Sequence, residues 1–179
     1  MTLASLSVRH SQFVAPFLQL INSYATLDSL VFANVTFGST LLQLGQQTSI
    51  TDLTVNGAVC RGSAGAILTA QDDGTVTADR ISVTNSNAAA FNVTGDASFA
   101  ISNAKFAGIN VLRQPYGNWT LGGAFACMDG QLALDSVLIQ GCMAQTAAAG
   151  FCAPSCQPDF QAVTLRLNKQ GSSRGECSF

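Results

Sequence analysis

The chain has 179 residues, which is long enough to bury one substantial core, so its size requires no more than a single domain. Charged residues make up 10% of it and the formal net charge is -2, so no basic surface is available to neutralise many phosphates, and nucleic acid is not an expected partner. Hydrophobic residues reach 47%, yet no stretch approaches the roughly 18 to 20 uninterrupted apolar residues of a membrane-spanning helix.

Residues 1–16 lack the basic start, long apolar middle and small-residue cleavage site of a secretory signal. The chain is therefore either not secreted or a piece of a longer protein. It opens on a predicted strand at Thr2, partway through a repeat.

That repeat is visible by eye. The segment TLASL at 2–6 returns as TLDSL at 26–30, and FLQL at 17–20 returns as LLQL at 41–44, in both cases 24 positions later (26 − 2 and 41 − 17). A fixed period in the twenties indicates a stack of repeated coils.

Two ladders of apolar pairs run through the coils, and the spacing of two within each pair places both side chains on one face of a strand. The first ladder consists of Leu6/Val8, Leu30/Phe32, Leu53/Val55, Ile81/Val83, Ala104/Phe106, Val137/Ile139 and Val163/Leu165. The second consists of Leu18/Leu20, Leu42/Leu44, Ile67/Thr69, Phe91/Val93, Phe125/Cys127 and Phe151/Ala153.

These ladders predict an all-β fold, a right-handed parallel β-helix (β-solenoid) of about seven partial coils of roughly 24 residues. Residues 1–179 would form a single segment of it. A leucine-rich repeat would need the L-x-x-L-x-L-x-x-N pattern, which is absent. An antiparallel sandwich gives no reason for the same residues to return at this period.

The longest step between ladder pairs is 33 residues, from Ala104 to Val137 (137 − 104). Insertions in solenoids map to loops, often on a binding face. We therefore expect a decorated loop within 107–123, with Arg113, Tyr116 and Trp119 as candidate recognition residues. The alternative is a glycan-bearing loop whose aromatic residues fold back onto the coil edge.

The sequence lacks the catalytic and metal-binding signatures known for β-helical enzymes. The clustered aspartates, histidine and Arg-Ile-Lys run of polygalacturonase-like sites are missing, Asp72 and Asp73 look like a hydrated turn, and His10 has no nearby acid or nucleophile in sequence. Zinc ligand sets and calcium-binding glycine-aspartate repeats are absent too. We expect no enzyme activity, no catalytic residue, no metal and no cofactor.

In five successive coils the position two residues before a core residue carries Asp, Ser or Thr, which is typical of side-chain hydrogen bonding at turns rather than of calcium sites. Its members are Asp28, Thr51, Asp79, Ser102 and Asp135. Thr26, Ser49 and Thr75 could begin a threonine column of the ice-binding kind, but later coils do not continue it.

The segments GGAF at 122–125, LALDSVLI at 132–139 and AGF at 149–151 resemble the repeats of polymorphic outer membrane proteins, which are pectin-lyase-like β-helices. Similar repeats occur in autotransporter passengers and in large extracellular glycoproteins of green algae. A degenerate copy, AGAI, lies at 64–67. The chain departs from the pattern because it has a single Gly-Gly-Ala and no Phe-x-x-Asn. The resemblance implies a surface-exposed adhesive or structural β-helix without enzymatic activity.

Six cysteines and three glycosylation triplets, at Asn34, Asn92 and Asn118, favour an extracellular or cell-surface location. The disulfide candidates are Cys127, Cys152, Cys156 and Cys177. Segments 150–152 and 175–177 match at a displacement of 25 (175 − 150), which places Cys152 and Cys177 in one column, with Cys127 one position off it and able to compete. Cys60 is about three coils away, and we expect a free buried thiol there.

Neither end shows a cap, so we expect other coils of the same or a neighbouring chain to cover both ends. The leading hypothesis is an extracellular structural or adhesive scaffold segment, with cell-surface carbohydrate or protein as candidate partners. The alternative is a pectin-lyase-like carbohydrate-active or carbohydrate-binding protein whose active coil is missing or degenerate.

Overall fold

The computed structural model describes residues 1–20, 23–62, 65–111, 122–144 and 147–170. The candidate recognition residues Arg113, Tyr116 and Trp119 lie outside the described residues, as do the acceptor Asn118 and Cys177.

Every regular element within those ranges is a strand. The strands are β1 (Thr2–Arg9), β2 (Gln12–Phe13), β3 (Leu18–Leu20), β4 (Ala25–Ala33), β5 (Thr36–Phe37), β6 (Thr40–Leu44), β7 (Gln47–Asn56), β8 (Val59–Cys60), β9 (Ala66–Ala70), β10 (Thr75–Thr84), β11 (Ala89–Val93), β12 (Ser98–Ala107), β13 (Phe125–Gln140), β14 (Met143–Ala144), β15 (Gly150–Gln161), β16 (Thr164–Arg166) and β17 (Lys169–Gln170). The described residues form no helix long and apolar enough to cross a membrane.

All strand pairings are parallel, and each strand pairs with its equivalent in the next coil. The long strands follow the order β1-β4-β7-β10-β12-β13, and the short strands of a second side follow β3-β6-β9-β11-β13. The predicted parallel β-solenoid is confirmed, with about six turns.

The first predicted ladder is confirmed in register. Leu6 pairs with Leu30, Leu30 with Leu53, and Leu53 with Ile81. Further along, Ala104 pairs with Val137 and Ile139 with Leu165. The inward side chains of this ladder are fully or partly buried except in the last coil, where Leu165 is 48% exposed.

The second ladder is wrong by one residue in the third coil. Leu68 and Ala70, not Ile67 and Thr69, pair with Leu42 and Leu44. The run 66–68 is buried throughout, so its apolar residues alone do not reveal which of them face the ladder. The hydroxyl of Thr69 lies 3.1 Å from that of Thr40, where the two can share a hydrogen bond.

The same ladder is also wrong in the last coil, where Gly150 and Cys152 take the places predicted for Phe151 and Ala153. The ring of Phe125 explains this shift, because a Cβ on Gly150 would lie 2.1 Å from two of its atoms. A side chain from the neighbouring coil thus fills the core position of the last coil.

Phe91 is the centre of the aromatic core. Its ring stacks on Phe125 at 5.2 Å and makes an edge contact with Phe99 at 5.2 Å and a tilted contact with Phe106 at 5.6 Å. Such pairs add roughly 0.5 to 1.5 kcal/mol each beyond the apolar area they bury.

The strands bend at two columns of residues in the left-handed region. The first corner column, with φ between 51° and 56°, contains Ser5, Ser29, Asp52, Arg80, Asn103, Ser136 and Ala162. In the second corner column the backbone N–H of every member from His10 to Gly141 donates to a carbonyl of the next coil, as from Asn34 to Asn56 at 2.8 Å. Its members are His10, Asn34, Gly57, Asn85, Gly108, Gly141 and Leu167.

Asp72 also has a left-handed backbone conformation, outside the two corner columns. Asp72 and Asp73 form the predicted exposed turn.

The cysteine column differs from the prediction. Cys127 pairs in register with Cys152, so it lies in the Cys152 column and not one position off it. Its disulfide partner is nevertheless Cys156, with a Cα–Cα distance of 5.8 Å. The cause is a bulge after Cys127, where β15 contains one residue more than β13. Cys152 has no disulfide partner in the described part of the chain. Cys60 is a free, buried thiol, which confirms the prediction for that residue.

Gly130 and Gly141 offer a matched test of this packing, since both have positive φ (88° and 61°). A Cβ on Gly130 would lie 2.2 Å from the carbonyl oxygen of Ala97, whereas on Gly141 the nearest atom is 3.9 Å away. We expect Gly130→Ala to lower the free energy of unfolding by about 3 kcal/mol and Gly141→Ala by about 1 kcal/mol. Urea unfolding of both variants measures this, and equal losses would contradict the packing at Gly130.

Candidate binding face

A polar face lies on the halves of the long strands that precede the first corner column. Along β10, Val76 and Ala78 are buried while Thr75 and Thr77 are exposed, as strand alternation requires. Because pairing is in register, the outward residues of successive coils stack into rows.

Two rows line this face, which we call the polar face. The inner row is Thr26, Ser49, Thr77, Ala100, Ala133 and Asp159. The corner row is Asp28, Thr51, Asp79, Ser102, Asp135 and Gln161, which confirms the recurring position read from the sequence.

The threonine column is partly wrong. Thr77, not Thr75, follows Ser49, because the step between these coils is 28 residues (77 − 49). The row then continues with Ala100, so its run of hydroxyl groups stops there, as expected.

A shallow groove follows the polar face. One part, of ≈ 330 Å³, runs from Ser49 to Gln161, and a second, of ≈ 370 Å³, continues it past Thr26 to Tyr24. The two parts share Ser49 and Thr77, so the groove extends from the first described coil to the last.

A network of charges and amides joins three coils beside this groove. Arg80 donates to both carboxylate oxygens of Asp52, at 2.6 and 3.0 Å, and also bonds to Asp79. The other oxygen of Asp79 accepts hydrogen bonds from Ser102 at 2.7 Å and Asn103 at 2.8 Å. Side-chain hydrogen bonds therefore connect successive coils at the first corner column.

This network stabilises the ionised forms of its members. Hydrogen bonds from Asn103 and Ser102, helped by Arg80, lower the pKa of Asp79. The hydrogen bond from Arg80 lowers the pKa of Asp52, and its bond to Asp52 raises the pKa of Arg80. A carboxylate held in this way accepts hydrogen bonds well and is a poor general acid.

The remaining predicted residues are dispersed. His10 lies in the second corner column of the first coil, away from the corner row. The described residues contain no group of three His, Cys, Asp or Glu that could hold a metal ion. At the corner row the described residues therefore bring together carboxylates, hydroxyls and amides, and His10 lies apart from them.

The two glycosylation acceptors within the described ranges differ in their surroundings. Asn34 is exposed at the second corner column. Asn92 is half-buried in β11, in register with Thr69 on one side and Ala126 on the other. Glycosylation of either residue stays a prediction.

Sequence reasoning missed Asp52, Arg80 and Asn103. A usable signal was present, because the five coils between the first and the last have two adjacent polar residues between their apolar positions, as in Asp79-Arg80 and Ser102-Asn103. Such a doublet interrupts the alternation of a strand and marks a corner. The pairing of Arg80 with Asp52 depends on register, which the doublet alone does not give.

In comparisons with protein-family models, with curated proteins and with solved structures, this chain matched none. The β-solenoid fold therefore rests on the structure alone.

Substitution of Asp79 tests whether the corner network makes the stability of the protein depend on pH. A carboxylate with a lowered folded pKa contributes stability above its unfolded pKa, about 3.9, and loses it as pH falls through the folded value. We expect urea midpoints of the wild type to fall more steeply below about pH 4 than those of Asp79→Asn. Asp73→Asn, which changes the same group on an exposed turn, should keep the wild-type slope. Equal slopes for the wild type and Asp79→Asn would contradict this role.

Proposed function

We propose that this chain is a segment of an extracellular β-solenoid with a structural or adhesive role, which acts through its faces and coil ends and not by catalysis. The observation that carries the proposal is the edge of the stack. β1 pairs with β4 alone, and β15 pairs with β13 alone, among the residues the structure describes.

The outer edge of β1 presents backbone N–H and carbonyl groups that point away from β4. The N–H of His10 and the carbonyl of Met1 are bonded to the β4 coil, and in a parallel strand alternate residues direct their groups to opposite sides. Ser7 therefore directs its N–H and carbonyl away from β4. Apolar side chains are exposed near this edge too, with Val14 at 89% and Tyr24 at 69%.

A strand with the same repeat is the partner that fits this edge. It would satisfy the outward backbone groups of β1 and bury Leu3, Leu6 and Val8, which are only half-buried. We therefore propose further coils, from the same or a neighbouring chain, as the partner at both ends. Such head-to-tail contacts do not close on themselves and build extended assemblies.

The extracellular assignment is supported by Cys127–Cys156 and by the exposed triplet at Asn34, because disulfides persist and N-glycans are added along the secretory route. The repeat resemblance to polymorphic outer membrane proteins supports a cell-surface, adhesive role of the same kind. Cell-surface carbohydrate or protein would then bind on the polar face.

The second candidate is a pectin-lyase-like carbohydrate-active or carbohydrate-binding protein. The groove favours it, because Asp79, Asp135 and Asp159 all line that surface. The lowered pKa of Asp79 and the engagement of Arg80 with Asp52 favour binding over proton transfer. Release of new reducing ends from polygalacturonate by the purified chain would decide for an enzyme.

The edge proposal is tested by Ser7→Pro, which removes the outward N–H of β1 without removing a bond to β4. We expect the wild type to gain mass with concentration in sedimentation velocity, and Ser7→Pro to associate on the order of tenfold more weakly. Ser7→Ala keeps the N–H and should behave as the wild type. A wild type that stays monomeric at all concentrations, or a Ser7→Pro that associates equally well, would rule the proposal out.

The secretory assignment is tested by intact mass. When the chain is secreted from a glycosylating host, we expect glycosidase treatment to lower its mass, and Asn34→Gln to remove one glycan from that difference. Asn92→Gln should leave the difference unchanged, because that side chain lies in a paired strand. A secreted wild type with no glycan at Asn34 would contradict the assignment.

A further inference from the structure

Three cysteines meet where β13 and β15 pair. Cys127 is fully buried in the core and forms the disulfide with Cys156, which is 7% exposed. Cys152, a free thiol, is the register partner of Cys127 across the same pair of strands. One sulfur therefore lies between two possible partners.

The distances allow both pairings. Register partners in adjacent strands are about 4.8 Å apart, within the range of about 4.4 to 6.8 Å that a disulfide spans between Cα atoms. The existing bond to Cys156 spans 5.8 Å. Cys152 packs against the same core cluster that contains Cys127, so both side chains lie on the inner side of the wall.

The bulge makes this arrangement possible. From Cys127 to Asp129 the chain of β13 advances two positions, while β15 advances three, from Cys152 to Ser155. The extra residue falls at Ala153-Pro154, and proline suits a bulge because it has no N–H to leave unpaired. The hydroxyl of Ser155 donates to the carbonyl of Met128 at 2.6 Å and fixes the strand beyond it.

We propose that Cys152 is an internal exchange partner of the Cys127–Cys156 disulfide. The Cys152 thiolate attacks Sγ of Cys127, the Cys127–Cys152 bond forms, the Cys127–Cys156 bond breaks, and Cys156 leaves as a thiolate that takes up a proton. One disulfide and one thiol exist before and after, so no external oxidant or reductant is consumed.

Exchange would alter the polar face. The segment of β15 after the bulge carries Asp159 and Gln161, which line the groove, and it pairs only with β13 among the described strands. The bond to Cys156 anchors this segment to the core. When Cys127 is bonded to Cys152 instead, the covalent attachment lies before the bulge. The segment after the bulge, which carries Asp159 and Gln161, is then no longer attached to the core by a disulfide.

The other free thiols lack this geometry. Cys60 is the register partner of Phe37 and not of a disulfide-bonded cysteine. Cys142 is buried, and its backbone N–H donates a hydrogen bond to Asn168 at 2.9 Å. Burial raises the pKa of Cys152, so at neutral pH the attacking thiolate is a minor species and the Cys127–Cys156 form persists between exchanges.

The test is disulfide mapping of the wild type, Cys152→Ser and Cys156→Ser. After oxidation with oxidised glutathione, we expect Cys156→Ser to carry Cys127–Cys152 in about half of its molecules or more. Tandem mass spectrometry can assign the bond, because peptides fragment readily before proline and Pro154 separates Cys152 from Cys156. Alkylatable Cys127 and Cys152 thiols in oxidised, folded Cys156→Ser would overturn the proposal.

The wild type provides the second measurement, which does not depend on how Cys156→Ser folds. After incubation of the purified protein with N-ethylmaleimide, we expect molecules in which Cys156 is alkylated and Cys127 is bonded to Cys152. Cys152→Ser, the matched control, should keep only Cys127–Cys156 and show no alkylated Cys156. A wild type without alkylated Cys156, or one in which Cys152 is already bonded to Cys177, would overturn the exchange. None of these outcomes depends on the proposed scaffold role.

Discussion

In-register parallel pairing between coils is the constraint on which every other feature of this molecule depends. The backbone N–H and C=O groups along one side of a parallel strand are hydrogen-bonded only when a neighbouring strand presents its own backbone groups in register. Each residue of an interior coil therefore lies beside one counterpart in the preceding coil and one in the following coil. Slipping one coil by a residue would turn its whole apolar set outward. The two buried ladders, the polar face and the two corner columns all follow from this single register.

The sequence reveals the ladders because their apolar pairs have a spacing of two, and it fails where that signal is ambiguous. Ala66, Ile67 and Leu68 are consecutive apolar residues, so alternation cannot choose between two registers. At Gly150 the core position contains the ring of Phe125, which no pattern within the last coil indicates. The corner row was predictable because its Asp, Ser and Thr residues recur. The pairs Arg80–Asp52 and Cys127–Cys156 were not, because one depends on a 28-residue step (80 − 52) and the other on a bulge.

The corners show how polar side chains serve register more than stability. Left-handed backbone costs a non-glycine residue roughly 1 kcal/mol, and the first corner column contains no glycine among its described members. The Arg80–Asp52 bond is more than 40% exposed on both sides, so it adds little net stability in water. Its geometry is bidentate, however, and a coil displaced by one residue would no longer place the guanidinium opposite that carboxylate. We infer that such bonds select the correct stacking among alternatives of similar apolar burial.

The same reasoning explains why a covalent bond is found at β15. A strand with one described neighbour has about half the inter-strand hydrogen bonds of an interior strand, and here Pro154 and the bulge interrupt even that pairing. Beyond the bulge most residues of β15 are exposed, with Phe160 at 36%, so little apolar burial holds the segment in place. Cys156 is the buried exception, and its bond to Cys127 adds a covalent attachment to the core. The groove wall formed by Asp159 and Gln161 is therefore attached covalently to the core through Sγ of Cys127. Its non-covalent contacts include pairing with β13 and the edge contact between the rings of Phe160 and Phe125.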